Sequence, residues 1–370
     1  MKAGHQLARA TDSPTYSMRL QQTGRLYWLY AAVGGESRSI AMPRVSMVLV
    51  VCSLLFATGP VVGQTREAGP WWPHPIWGPE DQAGASNWIT PEKVLAAIKL
   101  VETGRIYELG QVYERGMPLF GDRTYSMMIP GGPTYNVPFG ANKLIGNDEF
   151  LCTEIGQVGT QFDGLTHIGT RMKMADGRVR DVYYNGFTGD EILGSQGMRQ
   201  LGIEKIRPII TRGVLIDIAG YKKVDRLPNG YEVTVDDVRG ALKRQGLDED
   251  SLRPGDALLF RYGWSTLWDE PDKYNDSPAG IGLEVARWVV ERQATMIGSD
   301  SWTSEVVPNP DPALAFPVHQ ELLPKNGIFN IENLKLEELA GDGVHEFLFV
   351  FTPVPFKGAT GSPGRPIAIH

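Results

Sequence analysis

The run Gly213-Val-Leu-Ile-Asp-Ile-Ala219 constrains the fold more than any other stretch of the chain. A strand that reads as unbroken apolar residues is buried on both faces, which calls for a parallel sheet covered by helices. The chain downstream keeps to that alternation of strands and helices. Thr234 with Asp237 resembles a capping box and opens a helix ending near Gly246. Pro254-Gly-Asp256 turns into an apolar strand over 257–262, a helix is expected over 283–293, and a strand over 295–298 ends near Asp300. Further strands are expected over 327–331, with Glu332 at the end, and over 345–351, the last clear one. With 42% hydrophobic residues the chain can bury a large core, so residues 64–370 read as one α/β domain.

The N-terminal part reads differently. Residues 1–63 form an extension in which Arg44 precedes the apolar run Met47–Ala57, and Val61-Val-Gly63 resembles a signal-peptidase site before Gln64. Met42 is the expected true start. The run is shorter than the roughly 20 residues needed to span a bilayer, so no stable membrane anchor is expected. The expectation is therefore a periplasmic or secreted protein. Cys52 lies inside this segment, leaving Cys152 without an internal partner and expected to be a buried, small apolar residue. Residues 64–90, rich in Trp, Pro and Gly, are expected to wrap the domain surface. Thr90-Pro-Glu92 then opens a helix expected to stop at Gly104. The net charge of −7 comes with no run of Lys or Arg, which argues against nucleic acid as a partner.

Chemistry-bearing residues concentrate in Gln157-Val-Gly-Thr-Gln-Phe-Asp-Gly-Leu-Thr-His167. Gln157, Gln161, Asp163 and His167 occupy odd positions, so an extended chain would point them to one face, with Gln161 and Asp163 roughly 6 to 7 Å apart. Glycines 159 and 164 allow the segment to bend so that its ends converge. Asp163 suits a metal ligand as well as a turn or N-cap aspartate. His167, four residues on, suits general acid–base work because its unperturbed pKa lies near neutrality.

These residues, with others downstream, resemble the cyclase family of metal-dependent hydrolases, of the kynurenine formamidase and isatin hydrolase type. The family pattern H-x-G-T-H-x-D-x-P-x-H aligns with Gln157 through His167, although glutamine replaces both early histidines and Leu165 replaces the proline. Gly116-Met-Pro118, Arg212–Asp217, Pro254-Gly-Asp256, Ile297–Asp300, His319-x-x-Leu-Leu323, Ile331-Glu-Asn-Leu334 and Gly361–Arg365 extend the resemblance over roughly 80–365. It implies a swivelling β/β/α single domain, a dimer or tetramer, and a small-molecule substrate. It also implies metal ligation by Asp163, His319 and Glu332, joined by Gln161 and Gln157 at the histidine positions, with His167 as proton shuttle.

Replacing two imidazoles by amides changes the expected metal. Zinc prefers nitrogen and sulfur, whereas manganese tolerates oxygen-rich sites, so a divalent ion is expected with Mn²⁺ favoured over Zn²⁺. Asp300 and Glu305, near a strand's C-terminal end, are candidate supporting groups. Trp302 follows closely and could line an aromatic pocket, whereas His74, His345 and His370 read as structural or exposed. The expected activity is metal-assisted hydrolysis of an amide, of aryl-formamide or cyclic-amide type. The alternative is a small-molecule-binding homologue with a degenerate metal site, motivated by the two glutamines.

Overall fold

Four parallel strands form the centre of the sheet, and antiparallel strands extend it at both sides. The computed structural model describes residues 66–130 and 137–370; the 1–63 extension and its signal-like run lie outside the described residues. We number the strands of the large sheet β1 (Ile106–Glu108), β2 (Gln161–Asp163), β3 (Ile209–Asp217), β4 (Ala257–Arg261), β5 (Met296–Ser299), β6 (Phe329–Glu332), β7 (Glu346–Phe351), β8 (Gly361–Pro363) and β9 (Ile367–Ile369). Their order is β1-β9-β7-β3-β4-β5-β6-β2-β8. Strands β3 to β6 run parallel, and every other pairing is antiparallel.

Burial follows position. All four residues of β5 and all four of β6 are buried, as parallel strands covered on both faces require. Helices α1 (Pro91–Ile98), α2 (Val235–Arg244) and α3 (Leu283–Glu291) cover the sheet, with α1 and α2 both packed on β3. The core they close includes Leu215, Leu259, Phe260 and Ile331, all fully buried. Burying each such side chain stabilises the fold by about 1.5–3 kcal/mol. The α/β fold expected from the sequence is the fold observed.

Local signals account for most boundaries. The Thr234 hydroxyl accepts the Asp237 N–H at 3.3 Å while the Asp237 carboxylate accepts the Thr234 N–H at 3.2 Å, completing the capping box. The Thr90 hydroxyl likewise caps α1 by accepting the Lys93 N–H.

Two expectations are corrected, and two segments gain detail. Helix α1 ends at Ile98, not at Gly104. Cys152 is exposed, because Phe150–Thr153 pairs with Tyr125–Met128 in a separate, largely exposed two-stranded sheet. Beyond 345–351, the last strand clear from the sequence, β8 and β9 follow, and β8 carries Pro363 at the sheet edge, where a missing N–H is tolerated. The segment 157–167 bends, as its glycines allow: only Gln161–Asp163 is strand, and the His167 N–H closes a turn on the Gly164 carbonyl at 3.0 Å.

Among the described residues, no helix is long and apolar enough to cross a membrane.

Candidate metal centre

The register of β2 against β6 builds the centre. Asp163 pairs with Asn330, Phe162 with Ile331, and Gln161 with Glu332. Directly opposed residues of an antiparallel pair share a face, and residues two apart share it as well. Gln161, Asp163, Asn330 and Glu332 therefore project together, while Phe162 points the other way against Phe329 and Phe351. All four polar residues are buried.

His319 reaches the same face from the short helix α4 (Pro317–Gln320). The Glu305 carboxylate holds that helix by accepting the Val318 and His319 N–H groups at 3.1 and 3.0 Å. It also meets the His319 Nδ1 at 2.5 Å. The ring's other nitrogen, Nε2, thereby faces Glu332 Oε1 at 3.2 Å and Asp163 Oδ2 at 3.6 Å. One donor atom each from Asp163, His319 and Glu332 lies within 4.8 Å of the other two. Phe316, just before α4, and Asn333, just after β6, both take left-handed backbone angles (φ 49° and 59°), so strained residues flank the centre.

Amides occupy the remaining positions around the carboxylates. Gln157 Nε2 donates to Asp163 Oδ1 at 3.1 Å, and Gln161 Nε2 donates to Glu332 Oε2 at 2.8 Å. Asn330 Nδ2 lies 2.7 Å from Glu332 Oε1, 3.1 Å from Asp163 Oδ2 and 3.2 Å from His319 Nε2. The Ser304 N–H adds a donor to Glu332 at 3.0 Å. The expectation that Gln157 offers its carbonyl oxygen to an ion differs from the arrangement seen: that oxygen accepts from the Arg123 guanidinium at 3.2 Å. Gly159 makes the preceding turn feasible, at φ 57° and with the Tyr113 ring 2.6 Å from where a Cβ would stand.

Charge is unevenly compensated. Burial pushes the Asp163 carboxyl up, but His167, His319 and Gln157 outweigh it and hold the group below the usual carboxylate range. Burial pulls His319 down, but Asp163, Glu305 and Glu332 together raise it well above the ordinary histidine value. His167 is half-buried, with Nε2 3.8 Å from Asp163 Oδ1, and it lines a cleft of about 180 Å³ that opens onto the centre. Trp302 lines the cleft too, stacked on Phe120 with ring centroids 4.1 Å apart.

Not every expected residue joins the cluster. Asp300 instead accepts the Tyr262 and Trp264 N–H groups, both at 2.8 Å, and burial pushes its pKa up to about 7. His74 is buried and accepts the Ile76 and Trp77 N–H groups, a structural role. Sequence reasoning missed Asn330, although its place two residues before Glu332 on a strand puts it on the same face. Arg123 and Phe120 were missed as well, and they carry no comparable signal.

The residues suit a divalent ion on two counts. Donors bonded to one ion at about 2.0–2.2 Å stand about 3–3.6 Å apart, and the separations from His319 Nε2 fall there. Three buried carboxylates converge on a single imidazole, and Glu305 orients that ring from its far nitrogen in the manner of metal-bound histidines. The Asn330 amide competes for the same lone pairs.

Residues 107–306 match the Cyclase family model, described as "Putative cyclase". Among solved structures, a crystal structure of a novel cyclase is 33% identical with a TM-score of 0.69, over 80% of this chain and 96% of that one. Isatin hydrolase A from Ralstonia solanacearum is 19% identical with a TM-score of 0.52, over 75% of this chain and 97% of its own. Isatin hydrolase A from Labrenzia aggregata, bound to benzyl benzoate, is 18% identical with a TM-score of 0.52, over 71% and 93%. With the two isatin hydrolases the likeness is one of fold. No curated protein matches the chain.

Proposed function

Because the chain belongs to the cyclase family, we propose that it is a metal-dependent hydrolase cleaving an amide bond, of aryl-formamide or cyclic-amide type, in a small molecule. The observation that carries this reading is the convergence of Asp163, His319 and Glu332, of which His319 and Glu332 line the cleft. These three would hold the ion, Mn²⁺ in preference to Zn²⁺ because two of the three donors are oxygens. Bound there, the ion would polarise the substrate carbonyl and lower the pKa of a water.

The chain's own groups would do the rest. Glu305 fixes the His319 ring so that Nε2 stays turned to the carboxylates. His167, at the cleft wall and within reach of Asp163, would accept the water proton and return it to the leaving nitrogen. Trp302, Phe120 and Phe316 supply apolar walls that favour a flat substrate.

Elemental analysis after Mn²⁺ or Zn²⁺ loading, with formanilide and isatin hydrolysis measured with and without chelator, tests the proposal. About one ion per chain or more, and turnover lost to chelator, is the expected result. The second reading, a small-molecule binder with a degenerate site, is favoured by the amide groups of Gln157, Gln161 and Asn330 on the carboxylates. Absence of stoichiometric metal together with absence of turnover would select it.

We also propose a periplasmic or secreted homo-oligomer. The apolar run Met47–Ala57 supports the first part. The exposed Met127, Met128, Phe150 and Leu151 of the separate two-stranded sheet support the second. N-terminal sequencing of protein recovered outside the cytoplasm, and sedimentation of the purified protein, test these two points.

A further inference from the structure

We infer that Arg123 is a specificity-determining residue that draws an anionic group of the substrate to the end of the cleft away from the scissile bond. The inference rests on the reading of this cleft as the substrate site. Arg123 lines the same cleft as Gln157, His319 and Glu332. Its guanidinium is fixed by three contacts: Nη1 donates to the Phe120 carbonyl at 2.9 Å, Nη2 donates to Gln157 Oε1 at 3.2 Å, and the group lies 5.3 Å from the Phe120 ring centroid. A guanidinium has five N–H donors in a rigid fork that matches a carboxylate, and these contacts leave part of the fork unused. Among the described residues no carboxylate lies within 4.0 Å of it, and the exposed Glu154 is an acidic group that feels its charge from farther away.

The cleft therefore holds a cation as well as carboxylates, with aromatic residues in its lining. Arg123 connects to Asp163 through the single side chain of Gln157, across hydrogen bonds of 3.2 and 3.1 Å. That path spans no more than about 8.5 Å, a distance one aromatic ring with a substituent at each end can bridge. The Phe120–Trp302 stack forms a flat wall beside it. The class of ligand this arrangement takes is an aromatic amide bearing a carboxylate on the side of the ring remote from the amide. A neutral substrate would leave the cation unused. The competing role for Arg123, holding Gln157 and through it Asp163, would affect every substrate equally.

The test compares the wild type, Arg123→Gln and Arg123→Lys on 4-formamidobenzoate and its neutral counterpart formanilide. We expect the wild type to favour the anionic substrate in kcat/KM. That preference should fall about tenfold or more in Arg123→Gln and return in part in Arg123→Lys. In parallel, calorimetric titration with benzoate should show about tenfold weaker binding to Arg123→Gln, against benzamide as the neutral control. If neither formamide is turned over, the hydrolase reading fails, and the benzoate titration still decides the role of Arg123. Equal losses on both substrates overturn the inference. So does benzoate binding that is no tighter than benzamide binding in the wild type, or unchanged in Arg123→Gln.

Discussion

In the middle of the sheet the buried carboxylates meet full cations, and at its β2–β6 end they meet amides. Asp217, at the end of β3, accepts from Arg261 at 2.8 Å with Arg244 at 3.6 Å, and Asp256, before β4, pairs with Lys93 and lies 3.7 Å from Arg212. Asp163 and Glu332 are buried as well, yet their partners are Gln157, Gln161, Asn330, a backbone N–H and two histidines, His319 shared with Glu305 and His167 at 3.8 Å from Asp163. A buried charge is costly unless paired, and a neutral amide satisfies lone pairs without cancelling charge. The first region is closed by the chain's own cations and reads as structural. The second keeps an excess of negative charge beside a cleft, which is where an added cation gains most.

Swapping one carboxylate in each region gives the largest effect and the sharpest way to break the contrast. Asp256→Asn strands the Lys93 ammonium, and chemical denaturation should show a loss of about 3–5 kcal/mol with metal stoichiometry intact. Asp163→Asn should cost less stability and weaken Mn²⁺ binding by at least about 100-fold, read by calorimetry. Comparable stability losses with no change in metal binding would make both regions structural. Next, Mn²⁺ at about 100 times its Kd should stabilise the wild type by about 2.7 kcal/mol and do nothing for Glu332→Gln. A thermal shift retained in Glu332→Gln would place the ion elsewhere. A smaller effect is expected of Glu305→Gln: the His319 ring loses its charged partner, and metal affinity should fall about 10- to 100-fold while Asp163 and Glu332 stay in place. Unaltered affinity would mean that Glu305 only holds the start of α4.

The contrast also explains what could be read from sequence. The central strands announced themselves, because a run such as Val214–Ile216 has no role except burial on both faces. The capping box at Thr234 and Asp237 did the same for α2 through purely local chemistry. Asp163 stood out within its own polar cluster, but His319 and Glu332 were joined to it only through the family resemblance, since the three lie on separate elements and no spacing rule connects them. The unusual feature of the centre, its amide lining, was half visible in Gln157 and Gln161. The direction of Gln157 was not: which end of its amide faces the carboxylates depends on Arg123, far along the chain. The exposed two-stranded sheet misled the reading of Cys152, because an apolar neighbourhood such as Phe150-Leu151 reads as core wherever the chain leaves it.

Asp300 belongs to neither region and offers the smallest and most local test. It is fully buried and receives two backbone N–H groups, with neither a paired cation nor a direct contact to the metal-candidate residues. Burial raises its pKa from 3.8 to about 7, so across that interval the folded protein holds the proton more tightly than the unfolded chain does. The stability linked to this group is thus fully present below about pH 4 and is lost as pH rises through about 7. Asp300→Asn keeps one acceptor oxygen for the two N–H groups and removes the titration. Urea unfolding at pH 5 and pH 7.5 should show that the wild type loses on the order of 2–3 kcal/mol more than the variant over this range. His319, also raised, contributes a slope of the same sign to both proteins and cancels in the difference. Equal slopes in the two proteins would mean that Asp300 stays ionised on its two N–H donors, and that this end of the sheet carries even more uncompensated charge than the cluster at Asp163 and Glu332 alone.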